Sequence, residues 1–188
     1  TAFPVSSIAA YSTAHRIEHL FFIPIISLAT SMVTLVGMFY GAKRFDLIKK
    51  IVNYAIIRSI IIAVIFCAIF YLFANYIIIP FNANPESIKY LIQYFSIVPF
   101  AYPFITIGMT CSRIMQGLGF AYPMLVLTLF RVVIISASLA WYFVIILGKP
   151  VHYAWAGSLI SCMLTAGFSL IWLRSIIRSS FKPELINI

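Results

Sequence analysis

The chain reads as an all-α protein, a polytopic transmembrane helix bundle, and three observations carry that reading. Hydrophobic residues make up 63% of its 188 positions and charged residues only 9%, outside the soluble range in both directions. The apolar residues gather into runs long enough to cross a hydrocarbon core of ~30 Å at a helical rise of ~1.5 Å per residue. Short stretches rich in Pro, Gly, Asn, Lys and Arg separate those runs. A membrane barrel would instead show alternating segments of ~10 residues, which are absent. The net charge of +9 would suggest nucleic acid in a soluble protein. Here the basic residues flank apolar runs, so the lipid bilayer and its anionic headgroups account for them, and no nucleic-acid partner is expected.

Five spans are predicted, at about 8–41, 51–80, 88–111, 121–148 and 151–173. The first opens on Tyr11, His15, Arg16, Glu18 and His19, continues through the uncharged run Leu20–Ala42 and closes on Lys43-Arg44. Gly41 suits a left-handed helix end and Asp46 suits the cap of the next helix. Pro80-Phe-Asn-Ala-Asn-Pro85 breaks the second span from the third, which contains Pro99 and Pro103 and should kink there. Gly117-Leu-Gly119 ends the third, Arg131 lies within the fourth, and Gly148-Lys149-Pro150 precedes the fifth. In the remaining stretch, 174–188, Arg174, Arg178 and Lys182 recur beside Ile176, Ile177 and Phe181, the pattern of a cytoplasmic amphipathic helix resting on inner-leaflet phosphates.

Smaller features fit the same picture. Gly37 and Gly41 form a Gly-x-x-x-Gly pair suited to close helix contact. Tyr76, Tyr90, Tyr122, Trp141 and Trp155 lie near span ends and read as interfacial belts. Cys67, Cys111 and Cys162 sit within or beside apolar runs without paired spacing, so a structural, reduced role is expected.

Basic residues assign the sides of the membrane. Lys43, Arg44, Lys49 and Lys50 cluster after the first span, Arg113 follows in the third loop, and Arg174, Arg178 and Lys182 end the chain. Lys89 and Lys149 alone occupy the opposite loops. The bias puts the first and third loops and the C-terminus in the cytoplasm and the N-terminal end outside. The chain starts on Thr, with no signal peptide, and would need an external N-terminus on five helices. It is therefore expected to be the C-terminal part of a longer, transporter-sized chain whose N-terminal lobe is missing.

Ionisable groups within apolar spans cost ~2.5–3.5 kcal/mol each on insertion scales, so each needs a reason. Arg58 is close enough to the second helix's cytoplasmic end to snorkel. Arg131 lies ~15 Å along its helix from Ala121, near the bilayer midplane, either as a structural cation bonded to carbonyls or as a pathway residue. The cluster His15-Arg16-Ile17-Glu18-His19 matches His-x-x-Glu-His, a spacing that can hold zinc. Zinc needs a third ligand, and the other acids (Asp46, Glu86 and Glu184) lie in loops or the tail. No metal site is expected. His15, Glu18 and His19 share one helical face, with His15 in reach of Glu18 and Arg16 directed elsewhere. Two readings of this cluster stand: solvation at the outer surface, or the lining of a transport path. Glu18 and Arg131 differ in depth by more than ~10 Å and should not pair directly.

Several of these residues resemble a known family. Ala10-Tyr11 through Ala14, Arg16 and Glu18, then Pro24, then Leu35-Val-Gly37 through Gly41-Ala-Lys43-Arg44, resemble the eighth helix of multidrug and toxic compound extrusion (MATE) transporters. Met115-Gln-Gly117-Leu-Gly119, Arg131 and Ala154-Trp155-Ala-Gly157 continue the resemblance in order. It implies helices eight to twelve of twelve, about five spans of a six-helix lobe. It further implies secondary active efflux of drug-like or toxic organic compounds, often cationic, by antiport with H⁺ or Na⁺, with no other cofactor and no enzymatic activity. The setting would be a prokaryotic cytoplasmic membrane. Met38-Phe39 replace the Gln-Asn of many relatives, and span 88–111 lacks the carboxylate that some carry. Glu18, with His15 and His19, is thus the expected proton or cation site, and Arg16 and Arg131 complete the candidate pathway residues. The alternatives are a lipid-linked saccharide flippase of the same superfamily, a membrane enzyme using the His15/Glu18/His19 cluster, and a scaffold or channel subunit.

Overall fold

A computed structural model of the protein describes residues 5–78, 85–146, 148 and 152–181; the Pro80–Pro85 connection up to residue 84, Lys149-Pro150 and Lys182 lie outside the described residues. The described chain is helical, as backbone in lipid must be, since each N–H and C=O has to be satisfied within its own segment. Helix α1 runs Val5–Gly41 and α2 runs Phe45–Ile78. The third span is α3 (Pro85–Ile97), a 3₁₀ turn over Val98–Ala101, and α4 (Tyr102–Gly117). The fourth is α5 (Tyr122–Leu129), a π-helical stretch Phe130–Ala137, α6 (Ser138–Trp141) and a second π stretch Tyr142–Ile146. The last is α7, His152–Phe181. Five of these stretches are long and apolar enough to cross a membrane.

The third span is central. It packs against α1, α2, α5 and α7, and its buried face carries three shielded hydroxyls, Thr106, Thr110 and Ser112. Thr110 donates to Ser59 of α2 at 3.3 Å, so a hydroxyl pair ties two helices where no water can reach. Pro99, which lacks an N–H, breaks the α pattern; the turn tightens, and the Tyr102 N–H bonds back to the Pro99 carbonyl. Pro103 falls in the first turn of α4, where a missing N–H costs nothing. The expected kink therefore takes the form of a four-residue 3₁₀ joint.

Packing divides into two apolar clusters. One joins Ile17, Ile25, Phe70, Phe95 and Tyr102 with their neighbours, and the other joins Met32, Val36, Ile48, Ile114 and Met115 with Leu173 and Ile176. At the level of the second cluster α1 and α4 cross almost backbone to backbone. A Cβ added at Gly117 would stand 2.8 Å from the Val33 carbonyl oxygen, and one at Gly37 would stand 3.5 Å from the Gly117 carbonyl. Gly41, the other half of the predicted Gly-x-x-x-Gly pair, meets nothing within 4 Å. The small-residue contact is therefore Gly37 with Gly117, between helices distant in sequence.

Three further expectations change. The left-handed residue after α1 is Lys43 (φ 56°), not Gly41. The Lys43 N–H bonds to the Tyr40 carbonyl and the Arg44 N–H to that of Phe39, a Schellman ending displaced past the glycine. Gly119 (φ 96°) ends α4 in the same way, with bonds from Gly119 to Gln116 and from Phe120 to Met115. Trp155 is only 7% exposed and belongs to the first cluster instead of an interfacial belt. Finally, α7 continues unbroken through Arg174 and Arg178, and Ile176 is buried within the second cluster rather than lying on a separate amphipathic segment.

Candidate functional site

The first half of α1 brings one carboxylate into the bundle. Ala14 and Ile17, completely or almost completely buried, turn that face of α1 inward, and Glu18 follows them at 8% exposure. Its Oε1 accepts a hydrogen bond from the Tyr102 hydroxyl at 2.7 Å, and its Oε2 accepts one from Tyr94 at 3.1 Å. Tyr94 stands in α3 and Tyr102 begins α4, so the two donors lie on opposite sides of the 3₁₀ joint. One carboxylate thus clamps both halves of a jointed span to α1.

Aromatic rings enclose the clamp. Tyr94 meets Trp155 edge-on at 5.5 Å, and Tyr102 meets Phe22 at 5.1 Å and Phe70 at 5.6 Å. These rings exclude water and hold both phenols at their rotamers, while the hydroxyls reach the one acceptor a buried tyrosine needs. A carboxylate has about four lone-pair sites, of which the phenols use two, so the remaining capacity can take a proton or a small cation.

The rest of the predicted cluster separates from Glu18. His15 Nδ1 stands 3.9 Å from Glu18 Oε2, too far for the expected hydrogen bond, and its side chain is 67% exposed. It stacks instead on Tyr11, with nearly parallel rings 6.2 Å apart. Arg16 and His19 are exposed. The helical period explains the split: His15, Arg16 and His19 flank the buried stripe of Ala14, Ile17 and Glu18.

Arg131 lies elsewhere, half-buried in the π stretch of the fourth span. Its Nη1 is 4.0 Å from Cys162 Sγ, and its carbonyl accepts the Ser161 hydroxyl at 2.7 Å, which ties the stretch to α7. Among the described residues no ion pair joins it to Glu18. Arg58 is exposed on α2 over the ring of Tyr54, 5.2 Å from its centroid.

Tyr94 and Tyr102 were not among the residues singled out from the sequence. The signal existed: a tyrosine well inside an apolar span needs a partner for its hydroxyl, and Glu18 is the sole carboxylate within the five spans predicted from the sequence.

Comparison with known proteins agrees with this architecture. The MatE family model matches residues 2–142. Among solved structures, an outward-facing multidrug resistance MATE family transporter is similar over 93% of this chain, at 26% identity and a TM-score of 0.86. A MATE protein solved in the straight conformation is similar over 96%, at 26% identity and a TM-score of 0.89. A transporter of the wider MOP superfamily from Pyrococcus furiosus, described as having a binding pocket of reversed polarity, is similar over 94%, at 26% identity and a TM-score of 0.88. The chain spans 39% to 40% of the length of these structures. No curated protein sequence matches it. With three quarters of its residues inside the family match, and a bundle that superposes on solved transporters, the chain belongs to the MatE family.

Proposed function

We propose that the chain is the C-terminal lobe of a secondary active efflux antiporter, which expels drug-like or toxic organic compounds, often cationic, in exchange for H⁺ or Na⁺. The missing N-terminal lobe of the same chain would complete it. The observation that carries this reading is the buried clamp of Glu18 on Tyr94 and Tyr102. An antiporter needs a group whose ion occupancy alters how helices are held. A proton or cation on a free lone pair of Glu18 withdraws negative charge from the oxygens that the phenols bond, so occupancy weakens both hydrogen bonds and loosens α1 from one or both sides of the 3₁₀ joint. His15, Arg16 and His19, exposed beside the clamp, line its approach from the outer side.

The proposed setting is a prokaryotic cytoplasmic membrane. Lys43-Arg44 and the C-terminus lie inside and the start of α1 outside, as the basic-residue bias requires. Glu18→Gln keeps the shape and the acceptor oxygen of the side chain but cannot exchange a proton or carry a negative charge. The expected result is lost efflux with normal membrane insertion. Unchanged drug resistance in cells carrying Glu18→Gln would overturn the assignment. Proteoliposomes given either a pH gradient or a Na⁺ gradient identify the coupling ion.

A further inference from the structure

Arg131 stands where a desolvated cation needs an anion. Among the described residues its side-chain partner is the Cys162 thiol at 4.0 Å, a weak acceptor that cannot offset the desolvation of a full charge. The acids of the chain are committed or remote. Glu18 is held by two phenols, and Asp46 pairs with Arg44 at 3.3 Å. Glu86 lies in the first turn of α3, ~28 Å along the third span from the level of Ile105, and Glu184 lies outside the described residues.

Beside the guanidinium is a cavity of about 90 Å³ between α4, the fourth span and α7. On this measure a water needs ~10–15 Å³ and a cavity that holds benzene ~150 Å³, so the space admits a head group, with an apolar body lying along its walls and open mouth. Phe104, Ile105, Met109, Met124 and Leu127 give it apolar walls. The hydroxyls along its edge have already donated their protons to the backbone. Ser112 bonds to the Met109 carbonyl, Thr128 to that of Met124 and Thr165 to that of Ser161, each at 2.8 Å. Arg131 is left as the charged donor of a largely apolar cavity. Such a site repels cations and suits a ligand with an anionic head and an apolar body.

We infer that this cavity binds the carboxylate or phosphate head of an amphiphilic organic anion, with Arg131 as its charge partner. Glu18 and efflux play no part in the site, so the test reads binding alone and can fail while antiport stands. Full-length protein in uncharged detergent is titrated with 2-naphthoate and, separately, with its neutral isostere 2-naphthamide, by calorimetry. Naphthoate should bind saturably and at least about tenfold more tightly than the amide, and Arg131→Met should abolish that preference. Gly108 lines the cavity and a Cβ there meets nothing within 4 Å, so Gly108→Leu fills the space without touching the charge. It too should abolish naphthoate binding, while elution volume and melting temperature stay at wild-type values. Competition by added phosphatidylglycerol supports the site and assigns it to a lipid phosphate; absence of competition supports it as a site for a soluble organic acid. Three outcomes overturn it: no naphthoate binding to the wild type, as when a carboxylate from the rest of the chain fills the cavity; equal affinity for naphthoate and amide; or binding unchanged in either well-folded variant.

Discussion

Glu18 takes its character from what surrounds it, and the two phenols are not equivalent. Tyr102 donates over 2.7 Å and is 1% exposed, while Tyr94 donates over 3.1 Å and is 4% exposed. Tyr102→Phe keeps the ring contacts with Phe22 and Phe70 and removes only the hydroxyl, leaving a buried carboxylate oxygen short of one donor. A hydrogen bond to a charged group contributes about 1.5–3 kcal/mol, so Tyr102→Phe should lower the melting temperature in detergent. Tyr94→Phe should lower it less. Differential scanning fluorimetry of the two variants checks the order, and a larger loss for Tyr94→Phe would show that the clamp is ranked wrongly. Glu18, His15, Arg16 and His19 are adjacent in sequence, yet only Glu18 is buried. Spacing put His15, Glu18 and His19 on one face and did not show that Glu18 alone turns inward. The phenols were not legible from spacing, because a partner 76 or 84 residues away is chosen by how helices pack.

Among the helices, the crossing of α1 and α4 is the tightest constraint. A Cβ at Gly117 would meet the Val33 carbonyl at 2.8 Å, Val36 Cβ at 3.0 Å and the Met32 carbonyl at 3.2 Å, two of them backbone atoms that no rotamer change can move. Gly117→Ala must push the helices apart, an overpacking cost of about 1–3 kcal/mol. Gly41→Ala should be neutral, since nothing lies within 4 Å of that position. Melting measurements on the pair decide between this crossing and the local Gly-x-x-x-Gly contact. Pro99 and Gly119 marked where the third span bends and ends, because a missing N–H and a missing side chain act locally. The π-helical stretches of the fourth span carried no such mark. Residues 130–137 contain neither Gly nor Pro, and a widened turn there became visible only with the bond from Ser161 of α7 to the Arg131 carbonyl.

Across the whole molecule, large apolar side chains such as Leu72, Leu125, Ile134 and Ile171 remain exposed on the outside of the bundle. Such a surface is stable where hydrocarbon replaces water, so membrane insertion is part of the fold and not an addition to it. The two sides of the membrane should be distinguishable chemically. With the native cysteines replaced, Lys43→Cys should react with an impermeant maleimide only from the cytoplasmic side, and Asn82→Cys only from outside. The opposite labelling pattern would reverse the proposed topology. The five apolar stretches and their order were readable because hydrophobic length alone meets the membrane's requirement.

By itself, then, the sequence determined the membrane class, the existence of five apolar stretches, the joint at Pro99 and the helix end at Gly117-Leu-Gly119. Each of these depends on properties of consecutive residues: run length, charge, and the local effects of Gly and Pro. Only the tertiary structure decided that Glu18 is clamped by Tyr94 and Tyr102, that Gly37 meets Gly117, that Trp155 turns inward and that Arg131 faces a cavity. Hydropathy says that a helix is buried in lipid or protein, and it does not distinguish the two. Which face meets which neighbour depends on side-chain fit and on satisfying each polar group among helices far apart in the chain.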